Sequence, residues 1–203
     1  MEVALIGVTG RVGSRLLAEL LRRSHQVTGI ARDIGKVTGR PGLVLESADA
    51  NQPDQLAPLL KGHDAVFSAL KFATADAAAL IAAVKRAAVA RLLVVGGAGT
   101  LEVAPGVQAL DTPGFPDAYK PEATAGRAFL EVLRKETQLD WTFVSPSAEF
   151  VPGERTGKFR VGLDQMLVGQ DGKSWISMED FAIAFVDELE APKHSRRRIT
   201  VGY

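Results

Sequence analysis

The 203-residue sequence contains no cysteine, which excludes a disulfide framework and any thiolate metal site. Histidine is nearly as scarce. His25, His63 and His194 stand far apart without ligand spacing, so no metal is expected. Charge of one sign is not in excess either: 24 basic residues balance 24 acidic ones, for a formal net charge of zero. A nucleic-acid partner normally shows as a basic excess or stripe, and the run Arg196-Arg197-Arg198 is too short to supply one. No apolar run reaches about 18 residues, so neither a transmembrane helix nor a membrane partner is expected. A signal-peptide pattern is missing as well, because Val3–Val8 is a short apolar stretch that runs into glycine. These absences point to the cytoplasm.

What is present is a large apolar fraction, 46%, in a length that fits one domain spanning residues 1–203. Val3 to Ile6 reads as a buried strand. Leu16, Leu17, Leu20 and Leu21 repeat at helical spacing and predict a helix over 12–23. Strands follow at 27–31 and 43–46, a short helix at 53–60 and a strand at 65–70. The alanine-rich stretch 76–90 favours a helix by propensity, and 92–95 is a further strand ending on Gly96-Gly97. A Gly/Pro-rich loop over 98–121 leaves the carboxyl end of that strand, and loops of this length are usually functional. A helix over 122–137 and a strand over 141–145 complete the alternation. Ser177-Met178-Glu179-Asp180 has the form of a capping box opening a helix to Glu190, and 199–201 is a final strand. Alternation with short links predicts an α/β fold, a doubly wound parallel sheet of Rossmann type. Segments 98–121 and 146–178 form a small substrate-side appendage to it, mostly C-terminal.

Gly7, Gly10 and Gly13 lie between the first strand and the first helix, in Gly7-Val8-Thr9-Gly10-Arg11-Val12-Gly13. There the first glycine permits a tight turn, the second lets the backbone approach a pyrophosphate, and the third brings helix and sheet together. Backbone N–H groups and the positive end of the helix then hold the anion. The loop therefore predicts dinucleotide binding, with contacts from Gly7, Thr9, Gly10, Arg11, Val12 and Gly13.

The end of the second strand bears on NADP(H) versus NAD(H). An acidic residue there would favour NAD(H), but this strand ends Ala31-Arg32. Arg32 can grip a 2′-phosphate bidentately, so NADP(H) is favoured. Asp33 follows at once, and capping the next turn would explain it. Asp49 and Ala50 are placed at the adenine pocket, with a turn before Pro53 as the alternative role for Asp49. Ser68, Ala69 and Leu70 should run beside the cofactor at the carboxyl end of their strand. Gly96, Gly97, Ser145 and Pro146 occupy the equivalent ends of the next two strands.

The glycine loop, Ala31-Arg32-Asp33, and Val95-Gly96-Gly97-Ala98-Gly99-Thr100-Leu101 together resemble the atypical short-chain dehydrogenase/reductases. Within them the sequence is most similar to the NmrA-like, NADH-flavin reductase branch, which Asp140-Trp141-Thr142, Ser145-Pro146-Ser147, 152–157 and 199–203 also resemble. The likeness spans essentially the whole chain. It implies an NAD(P)H-binding fold that acts on flavins or similar conjugated acceptors, with flavin as a substrate and not a tightly held group. The usual site of the superfamily pairs a tyrosine with a lysine four residues on. Here Tyr119 is followed by Ala123, and Lys120 does not substitute geometrically. Tyr119 therefore lines the pocket or anchors the loop. Thr100 stands where many relatives carry a catalytic serine, and it either binds substrate or caps a turn.

Hydride delivery to an isoalloxazine needs orientation more than an acid, which suits a site without the Tyr–Lys pair. Phe115 and Phe150 are candidates to stack on a flat ring, with a core role as the alternative for Phe150. Residues 153–157 are a candidate lid, with Arg155 reaching an anionic group or standing in solvent. Glu149 is a candidate pocket carboxylate, and His63 reads as a turn cap. The sequence thus supports an NAD(P)H-dependent reductase acting on a small acceptor such as a flavin or quinone. A non-catalytic NADP(H)-binding redox sensor is the alternative, and an isomerase that retains its nicotinamide is a third reading. The chain is expected to be a monomer or a homodimer.

Overall fold

A computed structural model describes every residue from Met1 to Tyr203. The first half alternates as its periodicity predicts: β1 (Glu2–Ile6), α1 (Arg11–Arg22), β2 (Gln26–Ala31), β3 (Leu43–Ser47), α2 (Pro53–Leu60), β4 (Ala65–Ser68), α3 (Ala77–Arg86) and β5 (Arg91–Val95). A small hairpin of β6 (Glu102–Ala104) and β7 (Val107–Gln108) precedes α4 (Lys120–Lys135) and β8 (Asp140–Pro146). Three short strands follow, β9 (Glu149–Val151), β10 (Arg160–Gly162) and β11 (Trp175–Ser177), then α5 (Met178–Glu190) and β12 (Arg197–Gly202).

Eight strands form one sheet in the order β10-β12-β8-β5-β4-β1-β2-β3. Every neighbouring pair is parallel except β10 with β12. A parallel sheet is covered on both faces, so its strands are apolar throughout. Val3 and Leu5 of β1 pack with Leu93 and Val95 of β5 against α1 and α5. Ala4, Ile6, Leu92 and Val94 point the other way, into the core under α2, α3 and α4. Phe67 and Phe185 meet edge-on at 4.7 Å on the first face, and Phe72, Phe129 and Phe143 cluster on the second. Each fully buried ring of this kind contributes about 2–3 kcal/mol by leaving water.

The structure moves several boundaries, for local reasons. The alanine-rich helix starts after Asp76, whose carboxylate accepts the N–H groups of Ala78 and Ala79. It ends at Arg86, because Ala88 turns to φ +57° and sends Val89 back into the core. The fourth strand stops at Ser68; the Ala69 N–H makes the last bond to β1, at the Ile6 carbonyl 2.9 Å away, and Leu70 lies beyond it. Pro121 sits in the first turn of α4, where its missing N–H has no helical acceptor to lose. The long 98–121 loop carries the hairpin and short 3-10 turns, pinned where the Ala109 N–H donates to the Leu101 carbonyl at 2.9 Å. Ser177 caps α5 by accepting the Asp180 N–H at 3.0 Å. The reciprocal half of a capping box is not formed: the Asp180 carboxylate turns to the Thr156 and Gly157 N–H groups and the Tyr203 hydroxyl.

Candidate functional site

In this sheet β1, β2, β4, β5 and β8 all end on one edge, and the strand order reverses at β1, with β2 and β3 added on one side and β4 and β5 on the other. A crevice opens at such a switch point. Gly7, at φ +85°, turns the chain there, and a Cβ on it would lie 2.6 Å from the Ala69 carbonyl oxygen. A Cβ on Gly13 would lie 2.0 Å from the Gly7 carbonyl oxygen, so helix and loop pack at a distance that only glycine allows. Gly10 occupies the N-cap of α1, with no side chain capping that end and no acidic residue in the first turn. The first-turn N–H groups at Arg11, Val12 and Gly13 therefore remain available to an anion. The residues present fit a dinucleotide on that ground.

Around the far side of the loop lies a cleft of about 220 Å³ lined by Ile6, Gly7, Thr9, Ala31, Arg32, Asp33, Ala48, Asp49, Ala50, Asn51, Leu70 and Thr74. Arg32 is exposed at its mouth, and its guanidinium has no partner in the protein. Asp33 accepts the Gly35 N–H at 3.0 Å, the turn-capping role its position suggested. Asp49 likewise accepts the Asn51 N–H at 3.0 Å. The sequence reading missed Asn51 and Thr74. Asn51 donates to the Thr74 carbonyl at 2.8 Å and accepts the Asp76 N–H at 2.9 Å, tying the two loops that flank the cleft. Only the turn-forming Asp49-Ala50-Asn51 hinted at this, because the partners lie over 20 residues away. Glu122 was missed for the same reason. From the first turn of α4 it accepts the N–H groups of Phe72 and Ala73 at 2.7 and 3.0 Å, holding the segment that follows Ser68-Ala69-Leu70.

Gly96 and Gly97 continue the edge beyond β5, where the Gly96 N–H donates to the Val144 carbonyl at 2.7 Å. Ser145 and Pro146 end β8 and are buried. Thr100 is 4% exposed. Its hydroxyl and carbonyl oxygens both accept from Arg198, at 3.2 and 3.1 Å. Tyr119, in contrast, is 66% exposed on the turn before α4, and Ala123 holds the position four residues on. His63 donates from Nδ1 to the Leu60 carbonyl at 3.0 Å and pairs through Nε2 with the Thr28 hydroxyl at 2.8 Å, as a turn-stabilising histidine does.

Three secondary candidates lie elsewhere. Arg155 is paired bidentately with Glu19 on α1, at 2.9 and 3.0 Å, so 153–157 packs against the helix instead of arching over the crevice. Phe150 packs on Phe181 at 4.7 Å, half-buried against the core under α5. Glu149 is exposed. Phe115 remains beside the 96–100 turn, where a Cβ on Gly99 would meet its ring at 3.5 Å. No helix is long and apolar enough to cross a membrane.

A parallel sheet with a glycine-rich turn into α1 at its switch point defines a Rossmann-type nucleotide-binding protein. The chain belongs to the NAD(P)H-binding family, whose model matches residues 7–192. It is 46% identical to a "putative exported protein" of Burkholderia pseudomallei, with a TM-score of 0.90 and all of both chains covered. It is 41% identical to a "putative epimerase" of Bacteroides thetaiotaomicron, with a TM-score of 0.95 over all of this chain and 96% of that one. A "putative NADH-flavin reductase" of Streptococcus pneumoniae is 33% identical, with a TM-score of 0.86 over 100% and 99% of the two chains. The likeness to this protein and the family match agree with the short-chain dehydrogenase/reductase resemblance in the sequence.

Proposed function

We propose that this chain is an NADPH-dependent reductase that passes hydride to a flavin or a similarly conjugated small acceptor. The observation that carries the reading is a dinucleotide cradle without an acid–base pair beside it. Gly7, Gly10 and Gly13 build the cradle, while Tyr119 is largely exposed and followed at the fourth place by alanine. The S. pneumoniae protein whose name refers to NADH-flavin reductase supports the acceptor class.

Bound NADPH would supply the hydride, and the acceptor would take its proton from water. The residues of the chain bind and orient. The first turn of α1 holds the diphosphate, and Arg32, free of any protein carboxylate, meets the 2′-phosphate. Asp49 and Ala50 border the adenosine, and Ser68, Ala69 and Leu70 run along the dinucleotide. Gly96, Gly97, Ser145 and Pro146 border the nicotinamide end. Thr100 acts from beneath, keeping the 96–100 turn in place through Arg198. Tyr119 stands at the open side, where an acceptor would enter. Rate enhancement then comes from proximity and alignment, which suits hydride transfer to a flat ring and does not suit alcohol oxidation, where a base must take the hydroxyl proton.

The test is anaerobic bleaching of FMN by NADPH with and without the protein. A protein-dependent rate that saturates in both reagents is expected. NADPH binding without any acceleration would overturn the reductase and leave a binding protein that reports the redox state.

A further inference from the structure

A second cavity, of about 380 Å³, lies between α1, α5 and the 153–157 segment and shares no lining residue with the crevice. Four guanidinium groups line it, those of Arg15, Arg22, Arg40 and Arg155, against two carboxylates, Glu19 and Glu179. Glu19 is 4% exposed. Burial alone would raise its pKa, but hydrogen bonds from Arg22, Arg155 and Arg23 outweigh that and hold it ionised.

The way the forks are used matters more than their number. Arg22 spends Nε and Nη2 on Glu19, at 2.9 and 2.6 Å. Arg155 spends the same two atoms on it, at 2.9 and 3.0 Å. In both, Nη1 has no acceptor in the protein. Arg15 is held by Glu179 through Nε at 3.2 Å, and its Nη2 is free. The guanidinium of Arg40 makes no ion pair or hydrogen bond at all. Glu19 and Glu179 thus act as struts that fix three forks while leaving donors unspent, and a fourth fork is wholly uncommitted. Guanidinium groups fixed in advance are suited to phosphate, which takes several charge-assisted hydrogen bonds at once.

We infer that this cavity is an anion site for a small phosphate ester or diphosphate, separate from the dinucleotide crevice. Ala18 and Ala182 are its only apolar lining residues and no aromatic side chain lines it, so charged groups dominate what it can hold. The ligand is therefore compact and strongly charged.

The experiment is a calorimetric titration with inorganic diphosphate. The first turn of α1 also attracts diphosphate, so it is blocked, by Gly10→Asp or by saturating NADPH. In the blocked protein one diphosphate is expected to bind, more weakly as salt rises. Arg40→Ala removes no contact within the protein and is expected to weaken that binding about tenfold, the loss of one charge-assisted contact. Arg155→Ala should weaken it at least as much, with the fold checked by circular dichroism. Three outcomes would overturn the site: no binding in the blocked protein at millimolar diphosphate, an affinity indifferent to Arg40→Ala and Arg155→Ala, or equal weakening by a neutral control such as Lys61→Ala.

Discussion

Arg198 reaches from β12 to Thr100, and a single Nη1 donates to both its carbonyl and its hydroxyl oxygen, at 3.1 and 3.2 Å. The other guanidinium nitrogens hold Asp164, and the side chain of Arg198 is only 3% exposed. One residue at the sheet thereby ties the 96–100 turn to the segment after β10. Arg198→Ala would leave the Thr100 carbonyl buried without a donor. A loss of about 2 kcal/mol in stability is expected, discounted because Asp164 is half exposed and stays hydrated. Urea unfolding measures it, and an unchanged midpoint would contradict the tie.

The glycines of the loop should not behave alike. A Cβ on Gly13 would sit 2.0 Å from the Gly7 carbonyl, backbone that cannot yield without moving the loop, whereas one on Gly10 would sit at 3.2 Å. Gly13→Ala is expected to cost about 2 kcal/mol or more of stability, as overpacking does, and to abolish detectable cofactor binding. Gly10→Ala should remain folded, and Gly10→Asp should fold but lose NADPH, because a carboxylate would face the diphosphate. Thermal unfolding and cofactor titration separate these effects.

Arg32 has no carboxylate to satisfy in the free protein, so its removal should leave stability unaltered. Arg32→Ala is expected to weaken NADPH by about tenfold or more and NADH much less. Equal losses in the two titrations would remove the 2′-phosphate from its role.

Acid should loosen the hold of α1 and α5 on the 153–157 segment, which Glu19 binds through Arg155 and Asp180 through the Thr156 and Gly157 N–H groups. Burial opposes ionisation of Asp180, but hydrogen bonds from Thr156, Gly157 and Tyr203 outweigh it and lower its pKa. Glu19 is lowered in the same sense by its arginines, again against burial. A carboxyl whose folded pKa is depressed contributes stability that is complete above its unfolded value, about 4. That stability is lost as pH falls from there through the folded value. The urea midpoint should therefore fall steeply below about pH 4. Asp180→Asn is expected to be less stable at neutral pH and to show a shallower acid limb. Parallel acid limbs for the two proteins would refute the assignment.

Much of this site can be read along the chain, because its parts are local. Apolar runs that end on glycine mark β1 and β5, a short apolar run marks β4, leucine spacing marks α1, and three glycines between strand and helix mark the cradle. Each signal lies within about a dozen residues, the range over which sterics and helical or strand periodicity act. The turn roles of Asp33 and His63 are legible for the same reason.

What the tertiary structure alone decided is which distant residues meet. Arg155 looks along the chain like part of a lid, yet Glu19, 136 residues away, draws it to α1. Thr100 stands next to the glycines of the edge, but Arg198 turns its hydroxyl downward from 98 residues away. Asn51 and Glu122 shape the crevice through partners that no local pattern marks. Local pattern was enough for the parallel sheet and its anion-binding turn, since backbone geometry and burial on both faces act through neighbouring residues. The pairing of buried charges depended on the completed fold, because only there does the low-dielectric seam require each charge to find a partner.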